Sequence, residues 1–122
     1  MSDRDLKKRT RRFALEVVRF VEALPNDQVC RILGRQLVRA GTSVGANYRA
    51  ACRAKSGADF ISKMGTVEEE ADESSYWLEL LVEARKADQT KAGPLINEAN
   101  ELVAIAVASI NTARKSGKNE RA

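Results

Sequence analysis

The sequence predicts an all-α protein, an up-and-down antiparallel four-helix bundle, on three observations. Only two prolines and three phenylalanines occur among 122 residues, amid many Ala, Leu, Glu and Arg, the residue types that cost least in a helix. Apolar residues recur at helical spacing in four separate segments. The connections between those segments are short, as antiparallel neighbours in a bundle require. A chain of this length supports one core and is too short for two, so residues 1–122 are read as a single domain with a polar tail from about residue 116.

The first segment runs from about Leu6 to Leu24, with Phe13, Val17, Phe20 and Leu24 on one face and Ala14 and Val21 beside them. Pro25 ends it, because the residue before a proline avoids helical backbone angles. Asn26 or Asp27 then caps a second segment that continues to about Ala54, with Leu33, Leu37, Ala40, Val44, Tyr48 and Ala51 as its stripe. Ser56 reads as the next N-cap, with Asp59 in the position of a capping-box acid. Phe60, Met64, Val67, Ala71, Leu78 and Val82 mark a third helix to about Lys86. DQTKAGP reads as a loop, and Pro94 suits the first turn of a fourth helix. Its core positions are Ile96, Ala99, Val103, Ala106 and Ile110.

Helix two carries Gly34, Gly41 and Gly45 on one flank of its wheel. Each glycine costs a helix about 1 kcal/mol, so three of them point to a place where another helix comes close. A phosphate cradle is a poor reading, since mid-helix N–H groups are already bonded. Asn47 projects near the apolar stripe and reads as a buried side chain whose hydrogen bond sets packing register.

Charge is distributed unevenly. The net charge is +4, but residues 1–58 carry +8 and residues 59–122 carry −4. Arg31, Arg35, Arg39, Arg49 and Arg53 share one sector of helix two, roughly 80° wide at 100° per residue, opposite the apolar stripe. Lys7, Lys8, Arg11 and Arg12 recur at three- and four-residue intervals on helix one. These nine residues are the candidate nucleic-acid-binding set, because a row of cations holds phosphates without reading sequence. Aromatic stacking partners are scarce and no base-reading motif is present. The alternative is a scaffold in which the same arginines meet the Glu68–Glu73 cluster of a neighbouring subunit.

Catalysis is not expected, and neither a cofactor nor a metal is implied. The chain has no histidine, which removes the commonest base near neutral pH and the commonest metal ligand. A di-metal bundle needs Glu-x-x-His motifs, and none exists. Cys30 and Cys52 lie roughly 33 Å apart if helix two is continuous, so they form no common site. They read as buried thiols in a reducing, cytoplasmic setting. No signal peptide is legible in MSDRDLKKRTRR, and no membrane association is expected.

NYRAACRAKS followed by DFISKMGTVEEEADESSYWLELL resembles the four-helix bundle proteins related to those encoded in intervening sequences of bacterial 23S rRNA genes. Their relatives include the accessory variability protein of diversity-generating retroelements. The likeness covers about residues 12–115. Ser43, Val44, Asn47, Tyr48 and Ala51 match the pattern on helix two, and Gly41 and Gly45 lie within that stretch. Ala50 occupies a position where the pattern carries glutamate, while Glu73, Trp77 and Leu78 match on helix three. The resemblance implies a homopentameric barrel with a basic surface that binds RNA or DNA, and a reverse transcriptase as partner in a retroelement setting.

Overall fold

The computed structural model describes the backbone of residues 1–121 and side chains through residue 117. Helix α1 spans Asp3–Glu22, capped by the Ser2 hydroxyl, which accepts from the Asp5 N–H at 3.2 Å. Helix α2 spans Gln28–Cys52. Of the two candidate caps for it, Asp27 serves: its carboxylate accepts from the Cys30 N–H at 2.8 Å and also meets Lys86 Nζ at 3.1 Å. Helix α3 spans Gly57–Glu83 behind Ser56, whose hydroxyl accepts from the Asp59 N–H. The return bond of that box goes one residue further out than expected, from the Lys55 N–H to the Asp59 carboxylate at 3.2 Å.

Helix α4 differs most from expectation. It spans Gln89–Arg121, the longest of the four, so most of DQTKAGP belongs to its first turns and Pro94 lies inside it. Asp88 makes that early start possible. Its backbone oxygen accepts from the Ala92 N–H and its carboxylate from the Thr90 N–H. Ala92 is fully buried and draws this turn onto the core. The helix runs to Arg121, through the stretch from about residue 116 that was read as a polar tail; side chains 118–122 lie outside the described residues.

Each helix packs on its neighbour in sequence, and α1 meets α4 through the thinnest of the four interfaces. This closes an all-α, up-and-down bundle. Phe13 and Val17 of α1, Leu37 and Val44 of α2, Met64 and Leu78 of α3, and Ala99 and Ala106 of α4 fill the core. Leu81, Leu95 and Leu102 are buried where Val82, Ile96 and Val103 were expected, and those three are half-buried. Thr10, Ser74 and Ser75 enter the interior at little cost. The Thr10 and Ser74 hydroxyls donate back to the carbonyls of Leu6 and Glu70, and Ser75 donates to Glu79. Among the described residues no helix is long and apolar enough to cross a membrane.

The turn after α3 holds a strained residue. Arg85 has φ of 60°, a left-handed conformation that costs a side-chain-bearing residue about 1 kcal/mol. The Lys86 N–H donates to the Leu81 carbonyl and the Arg85 N–H to that of Val82, the double closure that normally ends on glycine. Arg85→Gly is therefore expected to raise stability by about 0.5–1 kcal/mol, read as an upward shift in thermal midpoint.

A charged clamp compensates for the thin α1–α4 seam. Arg9 donates from Nε and Nη2 to the Glu98 carboxylate, both at 2.7 Å, and from Nη2 to Glu101 at 2.8 Å. The Arg9 hydrogen bonds hold the Glu98 carboxyl below its usual range. The Cys30 N–H and Lys86 do the same for Asp27. A carboxyl whose folded pKa is depressed stabilises above its unfolded value and loses that contribution as pH falls through the folded one. The thermal midpoint should thus be flat near neutral pH and fall below about pH 4. Glu98→Gln should make that acid limb shallower, as a pH series of melts would measure.

Candidate nucleic-acid interface

The glycine flank of α2 faces α1. A Cβ built at Gly41 would stand 2.9 Å from Val17 Cγ1, one at Gly34 3.0 Å from Val21 Cγ1, and one at Gly45 3.2 Å from Thr10 Oγ1. The run RQLVRAGTSVGANYR is thus a continuous helix whose missing side chains let α1 approach. That close approach brings Lys7 and Arg11 of α1 beside Arg49 of α2.

Between them lies a groove of about 500 Å³. Lys7 and Arg11 of α1 and Arg49 of α2 line it, with Thr10, Thr42, Ala14, Gly45 and Ala46, and no acidic residue takes part. All three cations are exposed and none has a carboxylate within 4.0 Å among the described residues. The small residues matter as much as the charges, because they leave the floor between the cations open. The groove continues past Ala46 and Arg49 into a second of about 500 Å³, lined by Ala50, Arg53, Lys55 and the Asp59–Lys63 pair. Ala50 matters here, because a glutamate at that position would put an acid into the basic lining. Towards the other end, Arg31 and Arg35 border a third depression with Glu22 across from them. Arg31 also donates to the Asn26 side chain at 3.0 Å.

Besides Arg31 and Arg35, three further members of the expected basic set stand apart from this groove. Arg39 turns to α3, meeting Glu70 at 3.1 Å and Glu73, and those hydrogen bonds and charges raise its pKa. It is occupied within its own chain. Lys8 and Arg12 line the opposite side of α1, facing α4. The three- and four-residue intervals grouped them with Lys7 and Arg11, but at 100° per residue the two pairs stand roughly a quarter-turn apart and meet different neighbouring helices.

The motif residues of α2 and α3 do packing work. The Ser43 hydroxyl donates to the Arg39 carbonyl at 2.6 Å. Asn47 was expected to be buried with a register-setting partner. It is half-buried, and its amide donates to the Ser43 carbonyl one turn back at 2.8 Å, within its own helix. Tyr48 is buried and its hydroxyl donates to Asp3 at 3.0 Å, tying α2 to the start of α1. Burial chiefly, then the Cys52 and Asp3 neighbours, pushes this phenol far above its ordinary pKa. Glu73 accepts from both Arg39 and the Trp77 indole, the latter at 3.3 Å. Trp77 packs against the core and edge-on to Tyr76, with ring centroids 5.0 Å apart. Cys30 is buried, which raises its thiol pKa, and Cys52 is half-buried; both are free. Among the described residues no group of three or more His, Cys, Asp or Glu side chains gathers as metal ligands.

The sequence reading missed the Arg9 clamp and the contribution of Lys55 and Lys63 to the groove. Sequence neighbourhood with Arg53 was the available signal for Lys55. The Arg9 pairing, 89 residues away in the chain, had none.

Fold and surface together define a four-helix bundle with a glycine-closed, basic α1–α2 seam. The chain belongs to the 23S rRNA-intervening sequence protein family, whose model matches residues 2–108. A solved structure similar to it is a protein of unknown function from the S23 ribosomal protein family of Bacteroides thetaiotaomicron. That protein is 34% identical, and the superposition covers 91% of this chain and 99% of the other at a TM-score of 0.84. No curated protein matches the chain.

Proposed function

We propose that the protein is a non-enzymatic accessory that self-associates, as a homopentamer, and holds RNA or DNA by shape and charge. The observation that carries this reading is the α1–α2 groove, where among the described residues three cations without an ion-pair partner surround a small-residue floor and no acid enters the lining. Cations without aromatic platforms favour phosphate over base, so affinity is set by backbone charge and not by sequence. Repetition of the groove around an oligomer sums its cations into a longer basic track. The cytoplasm is the compartment, and a retroelement setting would add a reverse transcriptase as protein partner.

Fluorescence anisotropy with labelled single-stranded RNA and DNA of unrelated sequences tests this. Comparable affinities across sequences are expected. With about three phosphate contacts per groove, affinity should fall roughly twentyfold between 50 and 200 mM salt. Strong preference for one sequence, or binding indifferent to salt, would contradict the reading.

A second reading has its own observation. Glu69, Asp72, Glu79 and Glu83 form an exposed acidic stripe on α3 around Tyr76, itself 56% exposed. None of these acids has a cation within 4.0 Å among the described residues. In an oligomeric scaffold this stripe would take the basic face of the next copy. The assembly itself would then loosen as salt rises, and nucleic acid would find the groove filled.

A further inference from the structure

A different surface carries a different ligand chemistry. Where α1 ends and the α3–α4 turn passes beside it, the thin α1–α4 seam opens into a trough of about 600 Å³. Its floor is apolar: Phe20 and Leu24 from the α1 side, Ala87 from the turn, and Leu95 from α4, all part of or packed against the core. A volume of this size with a mostly apolar lining and a few polar groups is typical of small-molecule sites. Charge at the rim is not neutral. Arg19 and Lys91 are exposed there with no carboxylate within 4.0 Å among the described residues. Lys86 is held by Asp27. Of the two acids at the rim, Asp88 is engaged in capping α4 through the Thr90 N–H, which leaves Glu16. Past Glu16 and Pro94 lies a second depression of about 540 Å³ of mixed charge, where Lys8, Arg9 and Arg12 stand with Asp5 and Glu98. The apolar floor belongs to the first trough alone, and with the free cations Arg19 and Lys91 at its edge it selects a ligand that is apolar along its length and negative at one end.

We propose that this trough binds a small amphipathic anion, an aliphatic chain ending in a carboxylate, with the chain on Phe20, Leu24, Ala87 and Leu95 and the carboxylate held by Arg19 and Lys91. The site is separate from the α1–α2 groove, so it stands whether or not that groove holds nucleic acid.

Decanoate below its micelle concentration is the probe, followed by the methyl resonances of leucine and alanine in the full-length protein. Saturable shifts are expected at Leu24, Ala87 and Leu95, with a dissociation constant on the order of 100 μM. Decanol, of equal chain length and no charge, should bind about tenfold more weakly. Arg19→Glu with Lys91→Glu should erase that tenfold preference while leaving decanol unchanged, and Ala87→Trp should fill the trough and remove both. Should Ala87→Trp lose helicity by circular dichroism, the charge variant still decides, because its two side chains are exposed. Shifts that never saturate, that spread over all methyl groups, or that are the same for decanol and decanoate would overturn the assignment.

Discussion

Replacing Lys7, Arg11 and Arg49 together by glutamate is expected to weaken RNA and DNA binding by about a hundredfold or more at 0.1 M salt. Each phosphate contact on a single strand contributes about 0.7 of a decade at that concentration through counterion release, so losing three removes about two decades. The slope of log affinity against log salt should flatten by about 2 units. All three side chains are exposed and lack intramolecular ion pairs among the described residues, so helicity should stay as it is. Two controls separate the groove from general charge. Lys8→Glu with Arg12→Glu changes two-thirds as much net charge on the α4-facing side of α1 and should cost far less affinity than that share. Arg39→Glu breaks the contact with Glu70 and Glu73 and should act on α2–α3 packing while binding persists. If the Lys8 and Arg12 variant proves as damaging as the groove variant, the interface lies on the other side of α1.

Gly41→Ala should lower stability by about 2 kcal/mol, or roughly 8 °C in thermal midpoint. On helix propensity alone the change is favourable by about 1 kcal/mol. Packing overrides that preference. The new methyl would meet Val17 Cγ1 at 2.9 Å, Cγ2 at 3.0 Å and Cβ at 3.1 Å, the whole branched end of a side chain with little rotamer freedom. Only a shift of α1 relieves it. Gly65→Ala supplies the contrast, since nothing lies within 4 Å of a Cβ there, and it should raise stability by about 0.5–1 kcal/mol. Val17→Ala combined with Gly41→Ala should cost less than the sum of the two, as neighbours that clash are coupled. The same shift of α1 would carry Lys7 and Arg11 away from Arg49, so Gly41→Ala should also weaken nucleic-acid binding. Equal stability of the Gly41 and Gly65 variants would mean the seam is looser than its geometry indicates.

Much of the fold was legible because each helix announces one apolar face and one stop. Phe13 and Val17 on α1, the stripe from Leu37 to Ala51 on α2, and Pro25 between them needed no tertiary information. The glycine seam was legible too, since three costly residues on one flank of α2 demand a reason. Helix α4 was harder. Its sequence from Leu95 to Ile110 is apolar on two adjoining faces, so periodicity could not choose Leu95 and Leu102 over Ile96 and Val103. The same ambiguity exchanged Val82 for Leu81. Pro94 misled because position inside a helix depends on how well the first turns are held, and Asp88 and buried Ala92 hold them. In the candidate interface the wheel gave the charge rows but not their partners. Arg39 left its row for Glu70 and Glu73, and Lys8 and Arg12 turned to α4, because cross-helix pairing is set by the register of one helix against another.

The most direct test of the basic-groove account is light scattering coupled to size exclusion, on the protein alone and with short RNA and DNA, at low and raised salt. The account predicts a pentamer-sized species that takes up nucleic acid at low salt and releases it as salt rises while keeping its own mass. An oligomer that ignores both RNA and DNA at low salt would contradict it.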